Sequence, residues 1–138
     1  MIIRPARPDE RAALEDLQRR ASLALDENRE QLHANPDAIE LPAEHIASAF
    51  VAEVNGEIEG FAVLLGGELD GLFVDPAPWR QGIGTALVEA AVLEARRQGL
   101  TLVTVVASPG AQEFYEKCGF AAEGEVPTRF GPAIRMSR

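Results

Sequence analysis

Gly82, Ile83 and Gly84 stand directly before an Ala- and Leu-rich run in the stretch VDPAPWRQGIGTALVEAA, residues 74–91. Glycines at a helix entrance let the main chain approach an anion with no Cβ in the way. The first N–H groups of a helix lack internal partners, and the helix dipole adds partial positive charge there. The chemistry on offer is anion binding, to which Arg80 adds a charge-assisted contact to phosphate. On the motif alone, a glycine turn that binds nothing is an equal reading. Two nucleotide motifs fail. A P-loop needs a Lys after its last glycine, and Thr85 follows Gly84. A dinucleotide fingerprint needs a third glycine where Leu87 stands, and a tighter strand-to-helix turn than one holding Pro76 and Pro78.

Other reactive side chains lie on either side of this turn. Glu68 and Asp70 precede it in ELDGLFVDP, and Tyr115 and Cys118 follow it in SPGAQEFYEKCGF. Strand alternation puts Glu68, Asp70, Leu72 and Val74 on one face unless a bulge intervenes. Taken singly, each residue has a plain structural role. The carboxylates would be solvated strand edges, the tyrosine a packed ring, and the cysteine a small buried hydrophobe beside a helix-ending glycine. His33 and His45 have no partner spacing that would make a metal site. A surface, packing or substrate-pocket role is open to them.

The elements that must position these groups follow from local signals. MIIRPA reads as a first strand ended by Pro5. Pro8-Asp9 starts an amphipathic helix on which Ala13, Leu14, Leu17, Ala21 and Ala24 or Leu25 lie near helical spacing. The polar stretch DENREQLHANPDAIELPAEHIAS is broken by Pro36 and Pro42 and has room for a short helix. Asn55-Gly56 between two strand-like runs is a hairpin signal, since both residues tolerate positive φ. GGELDGLFVDP adds a third consecutive antiparallel strand. The glycine turn then opens a helix that runs to about Gln98 and stops at Gly99. LTLVTVVAS is a near-continuous apolar strand. A short helix from Pro109 to Gly119 and two weak strands, AAEGEV and PAIRMS, close the sequence. A strand, a crossover helix and another strand make one parallel unit inside an otherwise antiparallel sheet. The fold class is α/β, a mixed sheet with helices on both faces.

Over residues 50–120, three blocks together resemble the GNAT superfamily of N-acetyltransferases. ELDGLFVDP resembles the family's fourth strand, WRQGIGTALVEAA its pyrophosphate loop and helix, and SPGAQEFYEKCGF its late helix. The resemblance implies that the parallel strands splay apart, with the pantetheine arm of acetyl-CoA lying in the gap. It implies main-chain pairing of that arm with Leu72, Phe73 and Val74. It also implies pyrophosphate held by the loop of Trp79, Arg80, Gln81, Gly82, Ile83, Gly84 and Thr85. Trp79 stands where the family usually has Arg or Gln, with the Arg one place later. Ser108 and Gly110 stand where an Asn is common, so a cofactor contact by Ser108 stays open.

The resemblance further implies transfer of acetyl to the primary amine of a small molecule or protein, by direct attack in a ternary complex. Such transfer needs proximity, a base for the amine, a donor to the oxyanion and an acid for the thiolate. By the same resemblance Tyr115 is the acid and Glu68 the base, with Asp70 and water as rivals. A ping-pong route through Cys118 is set aside. A non-catalytic acyl-CoA-binding or partner-binding module on the same fold is the competing reading. A nucleotide-dependent oxidoreductase lacks its third glycine.

Composition agrees with a single domain over residues 1–138. The chain has 138 residues, 46% hydrophobic, with a net charge of −9 and a pI of about 4.7. This acidity argues against a general nucleic-acid binder. It leans toward a cationic amine such as a polyamine, an aminoglycoside or a Lys side chain. A lone cysteine excludes an intrachain disulfide. The opening residues carry no signal-peptide pattern and no run is long enough to span a membrane, so a cytoplasmic setting is the default. Homodimers are frequent in the family, although no stretch here marks an interface.

Overall fold

The computed structural model describes residues 1–23, 41–76, 82–129 and 131–138. Within them a seven-stranded sheet runs in the order β1-β2-β3-β4-β5-β7-β6. The strands are β1 (Ile2–Pro5), β2 (Ala49–Val54), β3 (Glu57–Leu65), β4 (Glu68–Val74), β5 (Thr104–Ala107), β6 (Ala121–Thr128) and β7 (Gly131–Ser137). The helices are α1 (Arg11–Leu23), α2 (Ile83–Arg97) and α3 (Gln112–Lys117). A 3-10 turn at Pro8–Glu10 leads into α1, and another at Ala43–Ser48 leads into β2.

All strand pairs are antiparallel except β4 with β5. The turns that fold the meander are those its residue types demand. Asn55 and Gly56 both take positive φ, 52° and 81°, at the β2–β3 hairpin, and Gly66 and Gly67 do the same before β4. Gly99, with φ 84°, stops α2 after its Gln98 cap.

The sheet separates two cores. On one face α2 and α3 bury Ile83, Leu87, Val88, Ala91, Tyr115 and Cys118 against Ala52, Ala62, Leu69 and Val105. On the other face α1 buries Leu14 and Leu17 against Val51, Phe61 and Val63, with Leu41 and Ile46 beside them. The inner side of α1 is narrower than the apolar spacing implies, because Ala13 is exposed and Gln18 is buried instead. Ala24 and Leu25 lie outside the described residues.

Two ion-pair clusters fix element ends. Arg4 bridges Glu10 and Glu53 at 2.7 and 3.0 Å, tying the entrance of α1 to β1 and β2. Arg20 of α1 reaches Asp75, just past β4, at 3.0 Å. No described helix is long and apolar enough to cross a membrane.

Candidate active site

The parallel pair is joined at one end only. Glu68 registers with Thr104, and the Thr104 N–H donates to the Gly67 carbonyl at 2.9 Å. Past that point β5 pairs on its other side with β7. Gly71, Leu72, Phe73 and Val74 pair with β3 alone. Among the described residues, the β5-facing edge of β4 beyond Glu68 has no strand partner. An unpaired strand edge is a row of main-chain donors and acceptors, and an extended amide-bearing ligand can add to it.

The end of that edge meets the entrance of α2. Gly82 caps the helix with φ 86° and ψ −8°, a left-handed conformation in which a side chain is strained. Gly82 has no side chain with which to cap the helix, and the first turn carries no acidic residue. The first intrahelical bond is from the Ala86 N–H to the Gly82 carbonyl, 3.0 Å. The N–H groups of Ile83, Gly84 and Thr85 come before it and are without intrahelical partners. Three such donors at the positive end of a 15-residue helix suit a phosphate. Trp79, Arg80 and Gln81, expected to complete this loop, lie outside the described residues.

Gly84 also explains how α3 reaches the same place. A Cβ built there would stand 3.1 Å from Phe114 Cζ and 3.7 Å from Val74 Cγ2. The absent side chain lets the first turn of α2, the end of β4 and the start of α3 converge. The Phe114 ring meets Tyr115 edge-on with centroids 5.1 Å apart, and Tyr115 meets Phe120 at 5.5 Å. Tyr115 is 7% exposed, and burial pushes its hydroxyl pKa up. The Cys118 thiol is also raised by burial, with a Thr85 hydrogen bond working the other way. A protonated, buried thiol is a poor nucleophile. Ser108 ends the β5 connection at the head of a 3-10 turn and makes no side-chain cap bond.

The expected alternation along β4 does not hold. Val63 pairs with Gly71 and Leu64 with Leu69, so Asp70 is an extra residue in a β-bulge. The bulge moves Glu68 to the face opposite Leu72 and Val74. Leu72 and Val74 pack on the α2 side, whereas Glu68 pairs with Leu65, which packs on the α1 side. Sequence reasoning named Asp70 but missed what the bulge brings to it. His45, in the 3-10 turn before β2, places Nδ1 3.8 Å from Asp70 Oδ2. Their separation of 25 positions hides the pair from any local pattern. His33 lies outside the described residues.

Comparison with known proteins points the same way. The Acetyltransferase (GNAT) domain family matches residues 45–122, more than half of the chain. A peptidyl-lysine N-acetyltransferase, YjaB of Salmonella typhimurium, is 43% identical over 65 residues, 47% of this chain and 43% of that protein. The chain spans less than half the length of the curated relatives it matches, 38% and 43%. A GCN5-related N-acetyltransferase structure from Rhodopseudomonas palustris superposes with a TM-score of 0.80 at 25% identity, covering 99% of this chain and 94% of that one. PaiA N-acetyltransferase from Thermoplasma acidophilum, solved with coenzyme A, gives 0.77 at 18% identity over 99% and 97%. The chain belongs to the GNAT acetyltransferase family.

Proposed function

We propose that the protein is an acetyl-CoA-dependent N-acetyltransferase acting on a primary amine of a small molecule or a protein. The observation that carries this reading is the continuity of the unpaired β4 edge with the uncapped α2 entrance. An acyl-CoA has amides along its pantetheine arm and a pyrophosphate at the far end. The β4 edge at Leu72, Phe73 and Val74 offers main-chain partners to the first, and the N–H groups of Ile83, Gly84 and Thr85 offer donors to the second. The bound thioester supplies an activated acyl carbonyl.

The chain's own contribution is binding, orientation and proton handling. Holding amine and thioester together replaces a bimolecular encounter with a positioned one. A β4 main-chain N–H can stabilise charge on the carbonyl oxygen. The raised pKa of Tyr115 keeps its proton available to a departing sulfur across the neutral range. The base is a carboxylate on the bulged end of β4 or a group held by one. The net charge of −9 favours a cationic acceptor.

Thermal shift with acetyl-CoA, CoA and NAD is the first test. Stabilisation by the first two alone is expected, about 2.7 kcal/mol at a hundredfold excess over Kd. Stabilisation by NAD without CoA overturns the reading. Free-thiol release over a panel of spermidine, an aminoglycoside, a Lys peptide and an N-terminal Ala peptide follows. CoA binding with no release across the panel would leave a non-catalytic acyl-CoA-binding module.

A further inference from the structure

We infer that His45 is the base that takes the amine's proton, held in position by Asp70; this rests on the acetyltransferase reading above. Bulging at Asp70 frees its carboxylate from the strand alternation, on the stretch where β4 leaves β5. The 3-10 turn Ala43–Ser48 packs on this side of the sheet, anchored by buried Ile46 in the α1-side core. His45 is 22% exposed and Asp70 43%, so the imidazole is shielded yet reachable from solvent. With Nδ1 toward the carboxylate, a proton on Nδ1 is favoured, and Nε2 keeps the lone pair a base needs. The 3.8 Å separation exceeds a hydrogen bond, as such contacts often do before substrate binds.

Among the described residues, few other groups compete near the imidazole. Glu68 shares the α1 face of β4, and Glu44 is the neighbour of His45 on its own turn. The α1-side residues of β3 at this level, Val63 and Leu65, are apolar. From α1, Arg11 and Glu15 are committed to the Leu41 main chain at 2.8 and 3.0 Å. Tyr115 lies in the core on the opposite face. The base and the acid therefore flank the β4 gap from two sides. As the N–C bond forms, the amine's proton goes to His45 Nε2. As the C–S bond breaks, its electron pair stays on sulfur and takes the Tyr115 proton. Exchange with solvent restores both groups.

The test uses the panel amine that releases thiol fastest, at subsaturating concentration with acetyl-CoA in excess. In the wild type the rate rises with pH along a limb of slope one, as expected for a single group that must be deprotonated to act. His45→Gln is expected to lose that limb and about 10²-fold in rate, with part restored by added imidazole. Asp70→Asn is expected to lower that rate while leaving the KM for acetyl-CoA unchanged, since the imidazole loses the carboxylate that orients it. Thermal stabilisation by acetyl-CoA should survive in both. A wild-type protein without that stabilisation sinks the acetyltransferase reading instead. A His45→Gln protein within twofold of wild type with its limb intact overturns the inference, as does a rate unchanged by Asp70→Asn. Loss of the limb in Glu68→Gln with His45→Gln unaffected assigns the role to Glu68.

Discussion

Substituting Gly82 separates the conformational need for glycine from every packing effect. An added Cβ there meets nothing within 4 Å, so no clash contributes. The residue sits at φ 86°, where an L-residue costs about 1–2 kcal/mol. Alanine also narrows the unfolded ensemble, which returns about 0.4–1 kcal/mol. The net loss for Gly82→Ala is then about 1 kcal/mol, or about 4 °C in Tm for a domain of this size. Asparagine tolerates the left-handed region, so Gly82→Asn should melt within about 1–2 °C of wild type, on the same size scaling. The assay is thermal melting of the three proteins with and without saturating CoA. If the α2 entrance holds the pyrophosphate through main-chain N–H groups, CoA should raise Tm by a similar increment in wild type and the Asn variant. Equal melting of the Ala and Asn variants refutes the left-handed cap as the reason for glycine. A large loss of CoA stabilisation in the Asn variant alone refutes the main-chain reading of the site.

Gly84→Val places branched carbons against the Phe114 ring, already 3.1 Å from a built Cβ. It should cost about 1–3 kcal/mol of stability and lower turnover through the neighbouring Tyr115, both readable on one preparation. Leu87→Ala empties a fully buried site under α2 and should cost about 2–5 kcal/mol in urea melts. Glu10 is held below the usual carboxylate range, chiefly by its hydrogen bond to Arg4. A depressed carboxylate stabilises the fold above its unfolded pKa and loses that contribution as pH falls through the folded one. Tm should drop below about pH 4, and Glu10→Gln should flatten that drop. Gln18→Leu removes Oε1, a buried side-chain atom without a hydrogen-bond partner among the described residues. It should raise Tm by a few degrees, since an unsatisfied buried acceptor costs about 1–3 kcal/mol.

The parts of the fold legible in the sequence are those written in local chemistry. Asn55-Gly56, Gly99 and Gly119 mark chain reversals because each takes a positive φ that most residues avoid. The β4 and β5 runs, and the helix between them, declare themselves through apolar patterning and glycine punctuation. The bulge at Asp70 leaves no such mark, because register depends on the partner strand. Alternation therefore assigned Glu68 to the wrong face. Gln18 likewise sits at an inward helix position that a hydrophobic pattern fills with a leucine. His45 lay beyond reach for a related reason. Its partner is 25 residues away, and only the packing of a 3-10 turn on the sheet joins them.

One irregularity in β4 accounts for both halves of the site. A regular parallel pairing of β4 and β5 would satisfy every main-chain group and leave no edge for an amide-bearing ligand. Pairing instead stops at Glu68 and Thr104, and the bulge begins two residues later. A bulge bends its strand and increases the local twist, which turns the rest of β4 away from β5. The same extra residue reverses the facing of side chains on its two sides. Leu72 and Val74 thus serve the α2 face with Tyr115, while Asp70 meets His45 across the other. Removing Asp70 as a residue, rather than as a charge, would restore the alternation and close the gap with it. Asp70→Asn tests only the carboxylate. A deletion of position 70 tests the geometry, and it should abolish CoA-induced stabilisation that Asp70→Asn preserves.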